Sequence, residues 1–241
     1  MSGNRSNHKS RVILFDIDGT LIKAVRRSEY RGLIRDMLIG IFGTYGRIGE
    51  VDFAGKTDLA IYREALEPAG VSLDIIRQRL PVVEKAMVEM LDYLASTGEV
   101  FRLCAGVREL LDALSGEGQF VTSLLTGNVE LLAFAKLRVA GIGNYFSVRG
   151  AYGSDAEDRD HLPAIAAERI CGLLECALRP DQFIIVGDTP RDISCARHFG
   201  ARVVAVASGP HSVDILAQHK PDALLEDLSS TDAVIKLLSD I

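Results

Sequence analysis

The stretch FDIDGTLI, residues 15–22, places Asp16 and Asp18 two positions apart at the end of an apolar run. That run, residues 12–15, has the length and composition of a buried β-strand. A carboxylate in a low-dielectric setting, beside another of its own sign, is costly unless a cation or a proton offsets its charge. The stretch therefore indicates a strand whose end carries two charges that something else must compensate.

Similar apolar runs recur along the chain after the first one at residues 11–16. They lie at residues 120–126, 182–187, 202–207 and, more weakly, 222–225. Helix-length segments separate most of these runs, which is typical of an α/β fold with a parallel sheet and helices on both faces. Ligands of such sheets bind at the carboxyl ends of the strands. We therefore expect the chemistry of this protein at the strand ends.

About a hundred residues separate the first two strands, far more than a βα crossover requires. Within this interval, apolar residues recur at helical spacing over residues 27–42, 58–69 and 73–96. We predict a small helical domain over residues 24–98, inserted into a core formed by residues 11–23 and 99–241. A further helix over residues 103–114 is expected to lead back to the core, and the polar residues 1–10 are predicted to be disordered.

The composition is that of a globular protein. A chain of 241 residues with 48% hydrophobic content can fill a substantial interior. Its longest apolar runs fall far short of the ~20 residues needed to cross a bilayer, so we expect no membrane span. The N-terminus lacks the pattern of a signal peptide, and the four cysteines show neither metal-ligand spacing nor a disulfide framework. We therefore expect a cytoplasmic protein.

The charge balance argues against nucleic acid as a partner. A net charge of −6 provides no broad basic field, although a local positive pocket is compatible with it. We expect a small-molecule substrate, with neither nucleic acid nor a membrane as a partner. The chain is expected to act as a monomer or a homodimer.

Polar residues follow three of the predicted strands. They are Asp16 and Asp18 after the first, Thr126, Gly127 and Asn128 in VTSLLTGN, and Asp188 and Asp192 in FIIVGDTPRD. Each group has a purely structural interpretation, as a turn, a capped turn and a capped helix start respectively. Their common position at the carboxyl ends of strands in one sheet calls for a joint explanation.

A divalent cation bound by oxygen atoms is the simplest joint explanation. Asp16 and Asp188 would be hard ligands, with Asp192 close behind them. Water and a substrate oxygen would complete an octahedral shell of the kind that Mg²⁺ prefers. A cation at this position would also compensate Asp16.

DIDGT, LLTGN and GDTPRD, in this order, resemble the first, second and fourth signature motifs of the haloacid dehalogenase-like hydrolase superfamily. Most members of that superfamily are Mg²⁺-dependent phosphatases with a Rossmann-like core. The helical insert resembles the α-helical cap of the phosphoglycolate phosphatase and β-phosphoglucomutase-like branch. The resemblance covers residues 11–228, including AKLRVAGIGNYFS at 135–147.

The resemblance implies separate roles for the two aspartates of the first motif. Asp16 would be the nucleophile that forms an aspartyl-phosphate. Asp18 would protonate the leaving group and then take a proton from the hydrolytic water, while its backbone carbonyl would bind the metal. Dehalogenases of the superfamily have a tyrosine at the second position and phosphonatases an alanine, so an aspartate there favours a phosphoryl ester as the substrate.

The second motif is implied to bind the transferring phosphoryl group. Thr126 would contribute its hydroxyl, and the backbone N–H groups near Gly127 and Asn128 would contribute further donors at a helix N-terminus. For Asn128, a plain helix cap is an alternative to direct contact with the phosphoryl group.

The third motif departs from the family pattern. Relatives commonly place a lysine before the helix that follows the third strand, whereas the corresponding GSDAEDRDHLPAI, residues 153–165, has none. We predict that Arg159 replaces this lysine, neutralising the phosphoryl group and contacting Asp16. The alternative is a solvated charged turn in which Arg159 only pairs with its neighbours. Arg149 is a second candidate for the same role.

The insert carries AGKTD, residues 54–58, at the start of a predicted helix. In capped relatives, a loop of this kind reaches into the active site and contacts the leaving group. Gly55, Lys56 and Thr57 are therefore candidates for substrate contact. The structural alternative is a capped helix start with an exposed lysine.

Three functions are compatible with this pattern. The leading hypothesis is a Mg²⁺-dependent phosphatase for a small phosphomonoester, such as a phosphoglycolate-like compound or a sugar phosphate. A sugar phosphomutase would use the same catalytic residues with a different cap. A non-catalytic sensor of a phosphorylated ligand usually lacks the nucleophile or the acid, and both Asp16 and Asp18 are present.

Overall fold

The protein, described over residues 11–241 by a computed structural model, is built around a five-stranded parallel sheet. The strand order is β4-β1-β5-β6-β7. These strands are β1 Arg11–Phe15, β4 Phe120–Leu124, β5 Phe183–Gly187, β6 Arg202–Val206 and β7 Ala223–Leu225. The predicted α/β architecture is therefore confirmed, while the predicted disorder of residues 1–10 lies outside the described residues.

Nine helices are present in the described part of the chain. They are α1 Arg27–Phe42, α2 Asp58–Leu66, α3 Leu73–Thr97, α4 Val107–Gly116, α5 Glu130–Val139, α6 Leu162–Leu174, α7 Pro190–Phe199, α8 Val213–Gln218 and α9 Thr231–Asp240. Short 3₁₀ turns lie at Glu67–Ala69, Gly143–Tyr145, Arg159–His161 and Pro180–Gln182. Each helix within residues 11–241 is too short or too polar to span a lipid bilayer.

Strand β1, which lies between β4 and β5, is buried on both faces. Ile13 and Phe15 face one hydrophobic cluster, and Val12 and Leu14 face the other. Side chains alternate between the two faces of a strand, so a strand covered by helices on both sides needs apolar residues at every position. This burial explains the continuous apolar run that precedes Asp16.

The segment between β1 and β4 differs in one respect from the predicted insert. The predicted helices of this segment are present as α1, α2 and α3, but the chain enters and leaves it through a two-stranded antiparallel sheet. This sheet pairs β2 Ile22–Ala24 with β3 Phe101–Leu103. The helix predicted over residues 103–114 was wrong at its start, because Leu103 ends β3 and α4 begins at Val107.

The inserted helices pack on the core as well as on one another. Helix α3 contacts both α1 and the core helix α5. A single hydrophobic cluster includes Met87 and Leu91 of α3 together with Leu132 and Leu137 of α5. The division into a cap over residues 24–98 and a core stays a prediction, and the two parts share a continuous buried interface.

Candidate active site

Adjacent strands bring the first and fourth motifs together. Asp16 follows β1 and Asp188 follows β5, which pairs with β1 in parallel. Asp192 lies in the first turn of α7, where it forms a capping box with Thr189. Thr126 follows β4, the other neighbour of β1. The parallel register thus places the ends of three neighbouring strands at one edge of the sheet.

Three buried carboxylates form a compact group at this edge. One oxygen from each of Asp16, Asp188 and Asp192 lies within 4.8 Å of the others. The Thr20 hydroxyl donates to Oδ1 of Asp188 at 3.1 Å, whereas Oδ2 of Asp188 has no hydrogen-bond partner among the described residues. Burial, together with repulsion between the carboxylates, raises the pKa of both Asp16 and Asp188. A donor set of clustered oxygens with one orphaned atom fits a hard divalent cation.

Arg159 is the cation that the protein itself supplies to this group. Its Nη2 donates to Oδ1 of Asp16 at 3.1 Å and also to Oδ1 of Asp192. Burial opposes its charge, but Asp192 and Asp16 more than compensate and raise the pKa of Arg159, so the guanidinium stays charged. Asp16, Asp188, Asp192 and Arg159 are called the nucleophile cluster below. It combines three carboxylates with one guanidinium, so two further positive charges, those of one divalent cation, would balance it.

The other candidate for this role, Arg149, lies elsewhere. Its guanidinium forms a bidentate pair with Glu130 at 2.6 and 2.7 Å. The Arg149 side chain is 58% exposed, and it does not line the cleft that contains Asp16. In this structure, Arg159 therefore has the contact with Asp16 and Arg149 does not.

Asp18 points to a different cation, one that the sequence reasoning missed. Nζ of Lys136, on α5, donates to Oδ2 of Asp18 at 2.6 Å and to Oδ1 of Asn128 at 2.6 Å. Nδ2 of Asn128 donates to Oδ2 of Asp18 at 2.8 Å and to the Thr126 hydroxyl at 2.8 Å. Asp18, Asn128 and Lys136 are called the acid–base cluster below. Its carboxylate and ammonium balance each other.

A weak signal for Lys136 was present in the sequence. The segment LLAFAKL, residues 131–137, is apolar except for this lysine. Lys136 is only 5% exposed, and a fully buried lysine almost always has a charged partner. Burial alone would lower the pKa of Lys136, but Asp18 and its surroundings raise it, so the ammonium persists. The identity of the partner could not be inferred from the helix alone.

The AGKTD loop docks directly on the second motif. A Cβ added to Gly127 would lie 2.0 Å from the backbone oxygen of Lys56, and one added to Gly55 would lie 2.4 Å from Oγ1 of Thr189. The backbone N–H of Asp58 donates to the carbonyl of Gly127 at 2.7 Å. Both glycines thus permit an approach that a side chain would block. The loop therefore reaches the active site.

The side chains of this loop have structural partners. Nζ of Lys56 forms an ion pair with Glu64 of α2. The Thr57 hydroxyl caps α2 by accepting from the N–H of Ala60, and it donates to the carbonyl of Glu157. Lys56 also lines the cleft, so its contact with a leaving group stays a prediction.

Asp58 is a further residue that the sequence reasoning did not single out. Its Oδ2 accepts from the N–H of Val129 at 2.9 Å, which provides the start of α5 with a cap from the insert. Burial raises the pKa of Asp58 to about 6, although Lys136 and the Val129 N–H oppose this effect. The insert is therefore tied to the helix that carries Lys136.

A cleft of about 300 Å³ lies between the insert and the strand ends. Every member of the two clusters except Asp192 lines it. The insert contributes charged residues, among them Arg27, Arg31 and Lys56, together with apolar and tyrosine side chains. The apolar and tyrosine side chains are Tyr30, Ile34, Phe53, Ile61, Tyr62 and Met87. Burial raises the pKa of Tyr30 and of Tyr62, so both hydroxyls remain neutral. The cleft has the size and the mixed lining of a small-molecule site.

Comparison with known proteins agrees with this architecture. The family described as HAD-hydrolase-like matches residues 161–231. A protein of Caldanaerobacter subterraneus named "Putative pyrophosphatase PpaX" is 31% identical over 132 residues, which is 54% of this chain and 57% of that protein. The match thus spans little more than half of that relative's length. A phosphoglycolate phosphatase of Pseudomonas putida is 25% identical over 222 residues, covering 90% of this chain and 77% of that protein.

A solved structure shows the same fold over nearly the whole chain. It is the crystal structure of a "predicted phosphoglycolate phosphatase" from Haemophilus somnus, with a TM-score of 0.66 and 22% identity. The similarity covers 94% of this chain and 98% of that one. These matches show similarity to hydrolases of the phosphatase type. The chain is thus similar to haloacid dehalogenase-like hydrolases over residues 161–231 and to a phosphoglycolate phosphatase over most of its length.

Proposed function

We propose that the protein is a Mg²⁺-dependent phosphatase that hydrolyses a small phosphomonoester through an aspartyl-phosphate on Asp16. The observation that carries this proposal is the nucleophile cluster. Asp16 is held by Arg159 beside Asp188 and Asp192, at the floor of a cleft that also exposes Asp18. This arrangement supplies a nucleophile, charge compensation and an acid within one small-molecule site.

In the first half of the reaction, a carboxylate oxygen of Asp16 attacks phosphorus in line with the leaving group. The new bond joins Oδ of Asp16 to phosphorus, and the bond from phosphorus to the ester oxygen breaks. That oxygen leaves with the electron pair and takes a proton from Oδ1 of Asp18, which would enter this half as the carboxylic acid while its Oδ2 accepts from Lys136 and Asn128. Arg159, together with the Thr126 hydroxyl and the N–H groups near Gly127, would stabilise the transferring phosphoryl oxygens.

In the second half, water attacks the phosphorus of the aspartyl-phosphate. Asp18, now a carboxylate, accepts a proton from this water. The bond between phosphorus and the Asp16 oxygen breaks, which regenerates the free carboxylate and releases inorganic phosphate. Asp18 therefore serves both halves, first as acid and then as base.

The nucleophile cluster requires positive charge for this chemistry. A carboxylate that approaches a phosphate anion at ~4 Å is opposed by ~4 kcal/mol per pair of unit charges at an effective dielectric of about 20. The side chains of Asp16, Asp188 and Asp192, with the backbone carbonyl of Asp18, would hold a Mg²⁺ ion here. When bound, that cation supplies the charge that offsets this repulsion.

The size of the cleft supports a small substrate. About 300 Å³ accommodates a small phosphorylated metabolite such as a sugar phosphate or a phosphorylated organic acid. Names of relatives support phosphomonoesters, since one of them is a phosphoglycolate phosphatase. Phosphate release should therefore be screened over phosphorylated sugars, organic acids and nucleotides, with Mg²⁺ and with EDTA. EDTA should abolish activity and added Mg²⁺ should restore it.

A phosphoenzyme assay tests the nucleophile. Acid-quenched protein should carry a hydroxylamine-sensitive phosphoryl group, which Asp16→Asn removes and the exposed control Asp74→Asn retains. Full turnover without metal, or a phosphoenzyme in Asp16→Asn, would contradict the mechanism. Phosphoryl transfer between hexose phosphates with little free phosphate would instead identify a mutase, and ligand binding without turnover would identify a sensor.

A further inference from the structure

The placement of Lys136 is unusual for a lysine. It lies on α5 between Ala135 and Leu137, which are both buried, and its own side chain is 7% exposed. Asp18, the carboxylate it contacts, has a side chain that is 44% exposed and that water could solvate without help. Taking an ammonium out of water is costly, and an apolar residue of similar volume at such a site is often neutral or more stable. A stabilising ion pair with Asp18 alone therefore does not account for a lysine here.

The hydrogen bonds of Lys136 determine how its neighbours are oriented. Because the ammonium only donates, the atom of Asn128 that faces it must be the amide oxygen. The amide nitrogen of Asn128 then faces Asp18 and the Thr126 hydroxyl. A reversed amide would place its oxygen against the Asp18 carboxylate. One ammonium thus holds the Asp18 carboxyl group both directly and through the Asn128 amide that it orients.

We propose that Lys136 is a positioning residue for the acid–base step, holding the Asp18 carboxyl group, directly and through Asn128, where it meets the leaving-group oxygen. The proposal rests on the function proposed above, since it assigns Lys136 a task only if Asp18 transfers protons. Lys136 donates to Asp18 and Asn128 and has no hydrogen bond to Asp16 or Thr126. Its loss should therefore affect leaving-group protonation and spare in-line attack by Asp16.

A series of substituted phenyl phosphates separates these two effects. Departure of p-nitrophenolate needs little protonation, whereas departure of unsubstituted phenolate depends on it. In single-turnover phosphoenzyme formation, Lys136→Met should lower the rate about 10-fold or more with phenyl phosphate and less than about 3-fold with p-nitrophenyl phosphate. Lys85→Met, on an exposed position of α3, is the matched control and should follow the wild type at every leaving group.

A double-mutant cycle tests whether Lys136 acts through Asp18. If it does, Lys136→Met should cause no further loss in an Asp18→Asn background, because the group that it positions is already inactive. Equal losses across the phenyl series, or full additivity in the cycle, would overturn the proposal and assign Lys136 to general packing. If Lys136→Met does not fold, Lys136→Gln is subject to the same two criteria.

Failure of this proposal is distinguishable from failure of the proposed function. If the wild type forms no phosphoenzyme with any phenyl phosphate in Mg²⁺, the proposed phosphatase reaction is contradicted, and the positioning role with it. If the wild type and Lys85→Met react and Lys136→Met matches them at every leaving group, only the positioning role is excluded.

Discussion

The two aspartates of the DIDGT motif are neutralised in different ways. In the nucleophile cluster, three buried carboxylates face one guanidinium, that of Arg159. In the acid–base cluster, the single carboxylate of Asp18 faces the single ammonium of Lys136. The first cluster is short of positive charge and suits a divalent cation, while the second is balanced by the protein alone. Two neighbouring carboxylates can thus be given different tasks because different elements supply their counter-charges.

The largest effect is expected from Asp18→Asn, which removes the acid and leaves the nucleophile cluster intact. Phosphoenzyme formation with alkyl phosphates should slow by about 10²–10⁴-fold, the usual contribution of general acid catalysis. With p-nitrophenyl phosphate the loss should be smaller, because its leaving group is already acidic. Rapid-quench measurements with both substrate types provide the comparison, and equal losses would remove Asp18 from the role of acid.

Arg159→Ala is the corresponding change in the nucleophile cluster. Without the guanidinium, three buried carboxylates remain uncompensated and the phosphoryl group loses a charged contact. We expect kcat/KM to fall by about 100-fold or more for every phosphomonoester, whatever its leaving group. Steady-state kinetics on alkyl and aryl phosphates measure this loss.

Arg149→Ala is the matched control, because Arg149 pairs with Glu130 at the surface. It should retain nearly full activity. A large loss with Arg149→Ala and none with Arg159→Ala would show that the wrong arginine has been assigned to the nucleophile cluster.

A smaller effect is expected from Lys56→Ala, which touches neither cluster. Lys56 lines the cleft, and its ion pair with Glu64 reduces the charge that a leaving group would meet. If Lys56 contacts an anionic leaving group, its loss should raise the activation barrier for the best anionic substrate by about 1–3 kcal/mol. The barrier for p-nitrophenyl phosphate should hardly change. Equal losses for both substrates would indicate a role in docking the loop, and no loss would place specificity elsewhere in the cleft.

The smallest expected effect is on the thermal stability of the protein. The nucleophile cluster should make this stability depend on pH and on Mg²⁺, whereas the acid–base cluster should not. In the folded protein, burial raises the pKa of Asp16 and of Asp188 above the ordinary value of 3.8. A carboxyl group with a raised folded pKa stabilises the fold at acidic pH, and this contribution is lost as the pH rises through the folded pKa. Metal-free protein should therefore lose stability between about pH 5 and pH 8.

Mg²⁺ should reverse this loss, since it binds the ionised carboxylates. We expect the Tm increase caused by Mg²⁺ to be several °C larger at about pH 8 than at about pH 5. Asp188→Asn should lose most of the response, whereas Asp18→Asn, outside the carboxylate group, should keep it. Thermal shift measurements on the three proteins decide this, and a Mg²⁺ response independent of pH would argue against the proposed ligands.

Much of the fold was readable from the sequence because its signals are local. The helix predicted over residues 27–42 coincides with α1, and the predicted strands at 120–126 and 182–187 contain β4 and β5. Apolar residues at helical spacing predict a helix, and runs of β-branched residues predict a strand, and both patterns lie within one short stretch of sequence. The β2–β3 pair was missed because strands of three residues carry no pattern, and they form only where the chain enters and leaves the insert side by side.

The same distinction holds in the active site. The sequence by itself determined that Asp16, Thr126 and Asp188 would meet, because each follows a strand and parallel strands end at one edge of a sheet. Only the tertiary structure decided which cation serves which carboxylate. Lys136 is 118 residues from Asp18, and its position in an apolar stretch of α5 indicates a need for a charged partner but not which one. Its partner depends on where the fold places α5 relative to the segment that follows β1, and no local property of either segment encodes that distance.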